Sequence, residues 1–121
     1  MNGEEIGYEL NRSAFIITST QAFHDMIANI FNEEPEKEES VQNNDSSRIY
    51  LVSADFFNEE EAYEYLEKNY MVIFEQEIEG WITDESLWPQ NITWDQFKEW
   101  FNISFQSMVF DLEAGEPVYE E

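Results

Sequence analysis

WITDESLWPQNITWDQFKEWFNISFQSMVFDL, residues 81–112, holds all four tryptophans of the chain, at Trp81, Trp88, Trp94 and Trp100. Phe97, Phe101, Phe105 and Phe110 follow at short spacings. Aromatic rings carry the largest apolar area per residue, so this segment is expected to supply much of a core. Thr93 is placed to cap a short helix, with Gln96 at the capping-box position. Trp94, Phe97, Trp100 and Phe101 fall at i, i+3, i+6 and i+7, which makes one apolar face. Residues 103–112 then alternate as a strand. Ile103 and Phe105 share one phase, and Met108, Phe110 and Leu112 share the other, so a β-bulge is expected near Ser107. Gly80, Thr83, Asp84 and Pro89 mark the turn region at the start of the stretch.

Immediately upstream lies a Glu-rich helix. Asn58 is its cap, Glu61 takes the capping-box position, and Glu59, Glu60 and Glu61 fill the first turn, where the helix dipole favours anions. Ala62, Leu66, Tyr70, Ile73 and Trp81 are expected to share the buried stripe, with Glu60, Glu64 and Glu67 on the outer face at i, i+4, i+7. Glu64 and Lys68 are spaced for an ion pair, and Asn69–Tyr70 is a candidate break into two helices. Tyr63 and Tyr65 lie two apart, about 200° around a helix, so one of them must lean outward.

Further out, residues 49–54 (IYLVSA) and 14–18 (AFIIT) are short apolar runs rich in β-branched residues and are expected to be strands. Phe23, Met26, Ile27, Ile30 and Phe31 fall at i, i+3, i+4, i+7 and i+8, which predicts a helix over Gln21–Asn32 capped by Thr20. Residues 33–48 (EEPEKEESVQNNDSSR) are polar throughout and are expected to form a long acidic surface loop. The two ends, 1–12 and 113–121, are expected to fray. Strands and helices in this order predict an α+β fold in one domain: a three- or four-stranded sheet packed against two to four helices.

Charge is the outlying property. Twenty-eight Asp and Glu oppose five Lys and Arg, a formal charge of −23 on 121 residues. Such a chain repels nucleic acid and anionic membrane surfaces, and it attracts basic proteins. An aromatic content of 17% argues against disorder. Without cysteine there is no disulfide, thiolate metal site or thiol nucleophile. The first residues lack the basic and apolar regions of a secretory signal, and no apolar run approaches spanning length, so a cytoplasmic location is expected.

No catalytic motif stands out. His24, the only histidine, is expected to be a surface or boundary residue beside Phe23. Asp84 and Glu85, flanked by Trp81 and Trp88, are the best-placed carboxylate pair for a pocket and, as a third reading, for acid–base hydrolysis. The glycines form no phosphate-cradling pattern, and the acidic clusters lack the EF-hand spacing, so no cofactor or metal is expected.

The leading expectation is a non-enzymatic protein that binds a basic partner, such as a nuclease or other nucleic-acid-binding protein. Carboxylates recurring at each helical turn, ~5–6 Å apart, approach the spacing of nucleic-acid phosphates, which is the physics of inhibitors and immunity-type proteins that mimic nucleic acid. Glu60, Glu64 and Glu67 are the first candidates for contact, with Tyr63 as an aromatic anchor and Glu38 and Glu39 from the acidic loop. The alternative is an α+β domain of structural or regulatory role whose acidity serves solubility alone.

Overall fold

The computed structural model describes residues 7–34, 47–113 and 115–119. Their order is β1 (Tyr8–Glu9), β2 (Arg12–Ser19), α1 (Gln21–Ile30), β3 (Ser47–Ser53), α2 (Glu59–Glu79), α3 (Trp94–Trp100), β4 (Phe101–Gln106) and β5 (Phe110–Asp111), with one 3₁₀ turn at Glu85–Leu87. The class is α+β. β2 is the centre of an antiparallel three-stranded sheet in the order β3-β2-β4, and β1 pairs with β5 in a separate two-stranded ladder. Among the described residues, no helix is long and apolar enough to cross a membrane.

Side-chain alternation divides the sheet into two unlike faces. Phe15 and Ile17 of β2 are fully buried, and their cross-strand neighbours Tyr50, Ile103 and Phe105 pack against the same core. The three described helices supply most of the rest, Phe23 and Ile27 from α1, Leu66, Phe74 and Ile78 from α2, and Phe97 from α3, with Ile82 and Ile92 from the α2–α3 connection and Phe101 from β4. Phe97 lies 4.9 Å from Phe101 and 5.5 Å from Tyr70 between ring centroids, so the aromatic stretch does build the core. α3 runs into β4 without an intervening loop. Thr20 fastens that junction by donating to the Glu99 carbonyl at 2.8 Å while its hydroxyl caps α1.

Several boundaries differ from the sequence reading. α1 stops at Ile30, because Asn32 takes a left-handed conformation (φ 55°) and Glu33 N–H bonds back to the Ala28 carbonyl, a Schellman ending. α2 is one unbroken helix of 21 residues; Asn69 continues it, donating from its side chain to the Tyr65 carbonyl. Of the end expected to fray, residues 1–6 lie outside the described residues, while Tyr8 and Glu9 pair with Asp111 and Phe110 and Arg12 opens β2. Of the expected loop over 33–48, residues 35–46 lie outside the described residues, and Ser47 and Arg48 belong to β3, where they pair with Thr18 and Ile17.

The strand expected over 103–112 splits in two. Glu9 pairs with Phe110 and Ala14 with Gln106, so five steps on the N-terminal strand match four on its partner. The extra residue therefore belongs to the N-terminal strand, opposite the expected place at Ser107. Met108, Phe110 and Leu112 accordingly stay exposed while Val109 and Asp111 are half-buried.

Candidate functional site

Two surfaces and one cleft carry the chemistry of this fold. The first surface is the outer side of α2. Asn58 accepts from Glu61 N–H at 2.8 Å and holds the first turn, so the helix begins with three glutamates at its positive end. Glu59, Glu60, Glu61, Glu64, Glu67, Glu75 and Glu79 are all exposed, and Lys68 is the one basic residue of the helix. Among the described residues the ion pairs are Arg48–Glu77 and Lys98–Asp95, so the expected Glu64–Lys68 pair is not made and the stripe keeps its charge. Met71, exposed and four residues from both Glu67 and Glu75, places an apolar contact inside that stripe, with exposed Val72 beside it. The sequence reading missed both, because apolar residues in a Glu-rich helix look like core positions until the packing is known.

The second surface is the outer face of the three-stranded sheet, made by Arg12, Ala14, Ile16 and Thr18, by Ser47, Ile49, Leu51 and Ser53, and by Asn102, Ser104 and Gln106. It contains no carboxylate. Its one charge is Arg12, and Ile49 and Leu51 are 66% and 52% exposed. Among the described residues the acid lies off this face, concentrated on α2 and more sparsely placed on the other helices, the loops and the β1–β5 ladder.

The cleft, about 290 Å³, opens where α1 and α2 end. Ile27, Ala28 and Phe31 of the α1 terminus line it, with Glu33, Glu34 and His24, and Trp81 closes it from just beyond the α2 cap. The Schellman ending brings Glu33 back beside Ala28 and so to the cleft. His24 is not the surface or boundary histidine that was expected. It is 4% exposed, its Nε2 lies 2.9 Å from the buried Ser19 hydroxyl, and its ring packs edge-on to Trp81 at 4.8 Å. No sequence signal joins Ser19 to His24 or His24 to Trp81; the turn from β2 into α1 does the first and the end of α2 the second.

The remaining candidates are dispersed. Asp84 caps the 3₁₀ turn, and its carboxylate accepts from the Ser86 hydroxyl at 2.6 Å and from Ser86 N–H at 3.0 Å. Those bonds hold its pKa below the usual carboxylate range, the opposite of what a proton donor requires. Glu85 is exposed. Trp88 packs on the core and donates its indole N–H to the Ile82 carbonyl, whereas Trp81 turns to the His24 cleft. The expected Asp84–Glu85–Trp81–Trp88 pocket is thus divided, because Trp81 and Trp88 face different surroundings.

Tyr63 turns inward. It meets Phe15 edge-on at 5.8 Å and donates to the Ile103 carbonyl, and burial, with the charge of Glu59 second, raises its pKa. The outward member of the pair is Tyr65, which rests on Phe56. Glu38 and Glu39 lie outside the described residues.

One glutamate of α2 points inward. Glu77, 4% exposed, accepts from the Tyr50 hydroxyl at 2.5 Å and lies 3.7 Å from the Arg48 guanidinium. Burial pushes the Glu77 carboxyl up, while the Tyr50 hydrogen bond and the Arg48 charge pull it back. The Tyr50 phenol is driven far above its usual range, by burial first and by Glu77 second, so it remains a donor. A second cleft of about 390 Å³ lies between Tyr8 and Leu10 and the segment through Glu113 and Pro117, with Asp111, Glu113 and Glu116 among its lining residues.

No protein-family model matches the chain, and no curated protein or solved structure matches it either.

Proposed function

We propose that this protein is a non-enzymatic binder of a basic partner protein, and that it engages the partner through the outer face of α2. The observation that carries the reading is the concentration of exposed acid on α2. Seven exposed glutamates share one helix of ~30 Å, while a whole sheet face has no carboxylate. Acid that served only solubility would be expected on every face. On α2 it is concentrated on either side of an apolar contact, Met71, which is the arrangement of a charged rim around an anchoring residue.

A long, capped helix bearing exposed carboxylates over residues 59–67 and again at Glu75 and Glu79 suits the groove of a nucleic-acid-binding protein, where it would stand in for phosphates. Long-range attraction would speed the encounter, and the contacts of Met71, Val72 and Tyr65 would slow release.

Two variants of equal net charge test this. Glu60→Gln, Glu64→Gln and Glu67→Gln together raise the formal charge by three units from −23, and so do Asn102→Lys, Ser104→Lys and Gln106→Lys on the sheet face. Capture of basic proteins from cell extract, followed by salt elution, is expected to weaken and to lose salt dependence in the helix variant and to change little in the sheet variant. An equal effect of the two would show that net charge acts rather than the helix, and would sink the proposal.

A further inference from the structure

We infer that the cleft between the ends of α1 and α2 receives an arginine side chain of the basic partner. The source of that arginine rests on the function proposed above; the chemistry of the cleft stands on its own residues. Its walls include two exposed aromatic rings, Trp81 (42% exposed) and Phe31 (42% exposed), over a floor of Ile27 and Ala28. Two carboxylates, Glu33 and Glu34, stand at its edge, and among the described residues that line it there is no Lys or Arg.

The rings, the apolar walls and the carboxylates favour the same guest, while the His24 ring in the lining is engaged with Ser19. Aromatic rings attract a cation through the ring quadrupole, and apolar walls suit a weakly hydrated planar guanidinium with a methylene stem better than a compact ammonium. The carboxylates offer charge-assisted acceptors of fork geometry. Both helices that meet here do so at their C-terminal ends, where the macrodipole is negative, and neither carries a basic residue in its last turn. The volume, at the low end of the ~300–1,000 Å³ typical of small-molecule sites, fits one side chain rather than a larger ligand.

The indole N–H signal of Trp81 reports on the cleft directly. The whole protein is titrated at constant ionic strength with N-acetyl-L-arginine amide, with the uncharged N-acetyl-L-citrulline amide, and with free L-arginine. Arginine amide is expected to shift the Trp81 signal saturably, with citrulline amide weaker by about three- to tenfold. Glu33→Gln with Glu34→Gln, both at exposed positions, should weaken the arginine response by a similar factor while leaving the rest of the amide spectrum in place.

Equal responses to arginine and citrulline amides would overturn the proposal, as would shifts along α2 with Trp81 unmoved. Tighter binding of free L-arginine than of the blocked form would overturn its assignment to a protein side chain. The α2 neutral variant separates this inference from the last. A Trp81 response in a protein whose partner capture ignores the α2 stripe keeps the cleft and removes the helix, and the converse keeps the helix alone.

Discussion

Glu77 lies on the inner side of a helix whose outer side carries most of its acid. Its neighbours are specific: the Tyr50 hydroxyl donates to it, and the Arg48 guanidinium reaches it while also donating to the Gln76 carbonyl. Gly80 belongs to the same contact, because a Cβ there would come 2.9 Å from an Arg48 nitrogen. Removing the carboxylate leaves the half-buried Tyr50 hydroxyl without its acceptor and takes the ion partner from Arg48, so Glu77→Ala is expected to cost about 1–3 kcal/mol in denaturant unfolding. Glu77→Gln keeps an acceptor for Tyr50 and is expected to stay within about 1 kcal/mol of the parent at pH 7. The pH dependence has a definite sign. The folded-state pKa of Glu77 is raised, so the native state binds its proton more tightly, and stability falls as pH rises from the unfolded-state value through the folded-state value. In Glu77→Gln that component disappears, which a comparison of the two unfolding curves between pH 4 and 7 measures. Asp84, with its lowered pKa, acts in the opposite direction, contributing stability above its unfolded-state value that is lost as pH falls.

At the scale of elements, helix signals are short-ranged and were legible. Thr20, Asn58 and Thr93 each cap the helix that the sequence assigns to them, and Thr93 with Gln96 makes the full capping box. Asn58→Ala is expected to cost about 1 kcal/mol, read as a lower denaturation midpoint with unchanged slope. What the elements do to one another was less legible. The strand after α3 carries alternating apolar residues in both phases, and nothing local says which phase meets the helices. The extra residue in the facing strand, between Glu9 and Ala14, decides it and leaves Phe110 and Leu112 outside. Trp81 shows the same limit. It extends the apolar periodicity of α2, yet the helix ends at Glu79 and the ring turns to His24.

For the whole molecule, charge is the governing quantity. Like charges held near one another on α2 oppose the compact state, so stability is expected to rise with added salt and on acidification from pH 7 towards pH 5. Calorimetry at 0.02 M and about 0.5 M sodium chloride tests the first, since screening shortens the Debye length from tens of ångströms to a few. A transition temperature that falls with salt would mean that attractive pairs outweigh repulsion.

Net charge, the α+β class, the helix caps and the core-building role of residues 94–101 follow from the sequence alone, because composition is additive and caps and periodicities act within one or two turns. The exposure of Met71, the burial of Glu77 and His24, the parting of Trp81 from Trp88 and the carboxylate-free sheet face were decided only by the tertiary structure. Each depends on which distant segment covers a given side chain, and that choice is made by packing between elements far apart in the chain.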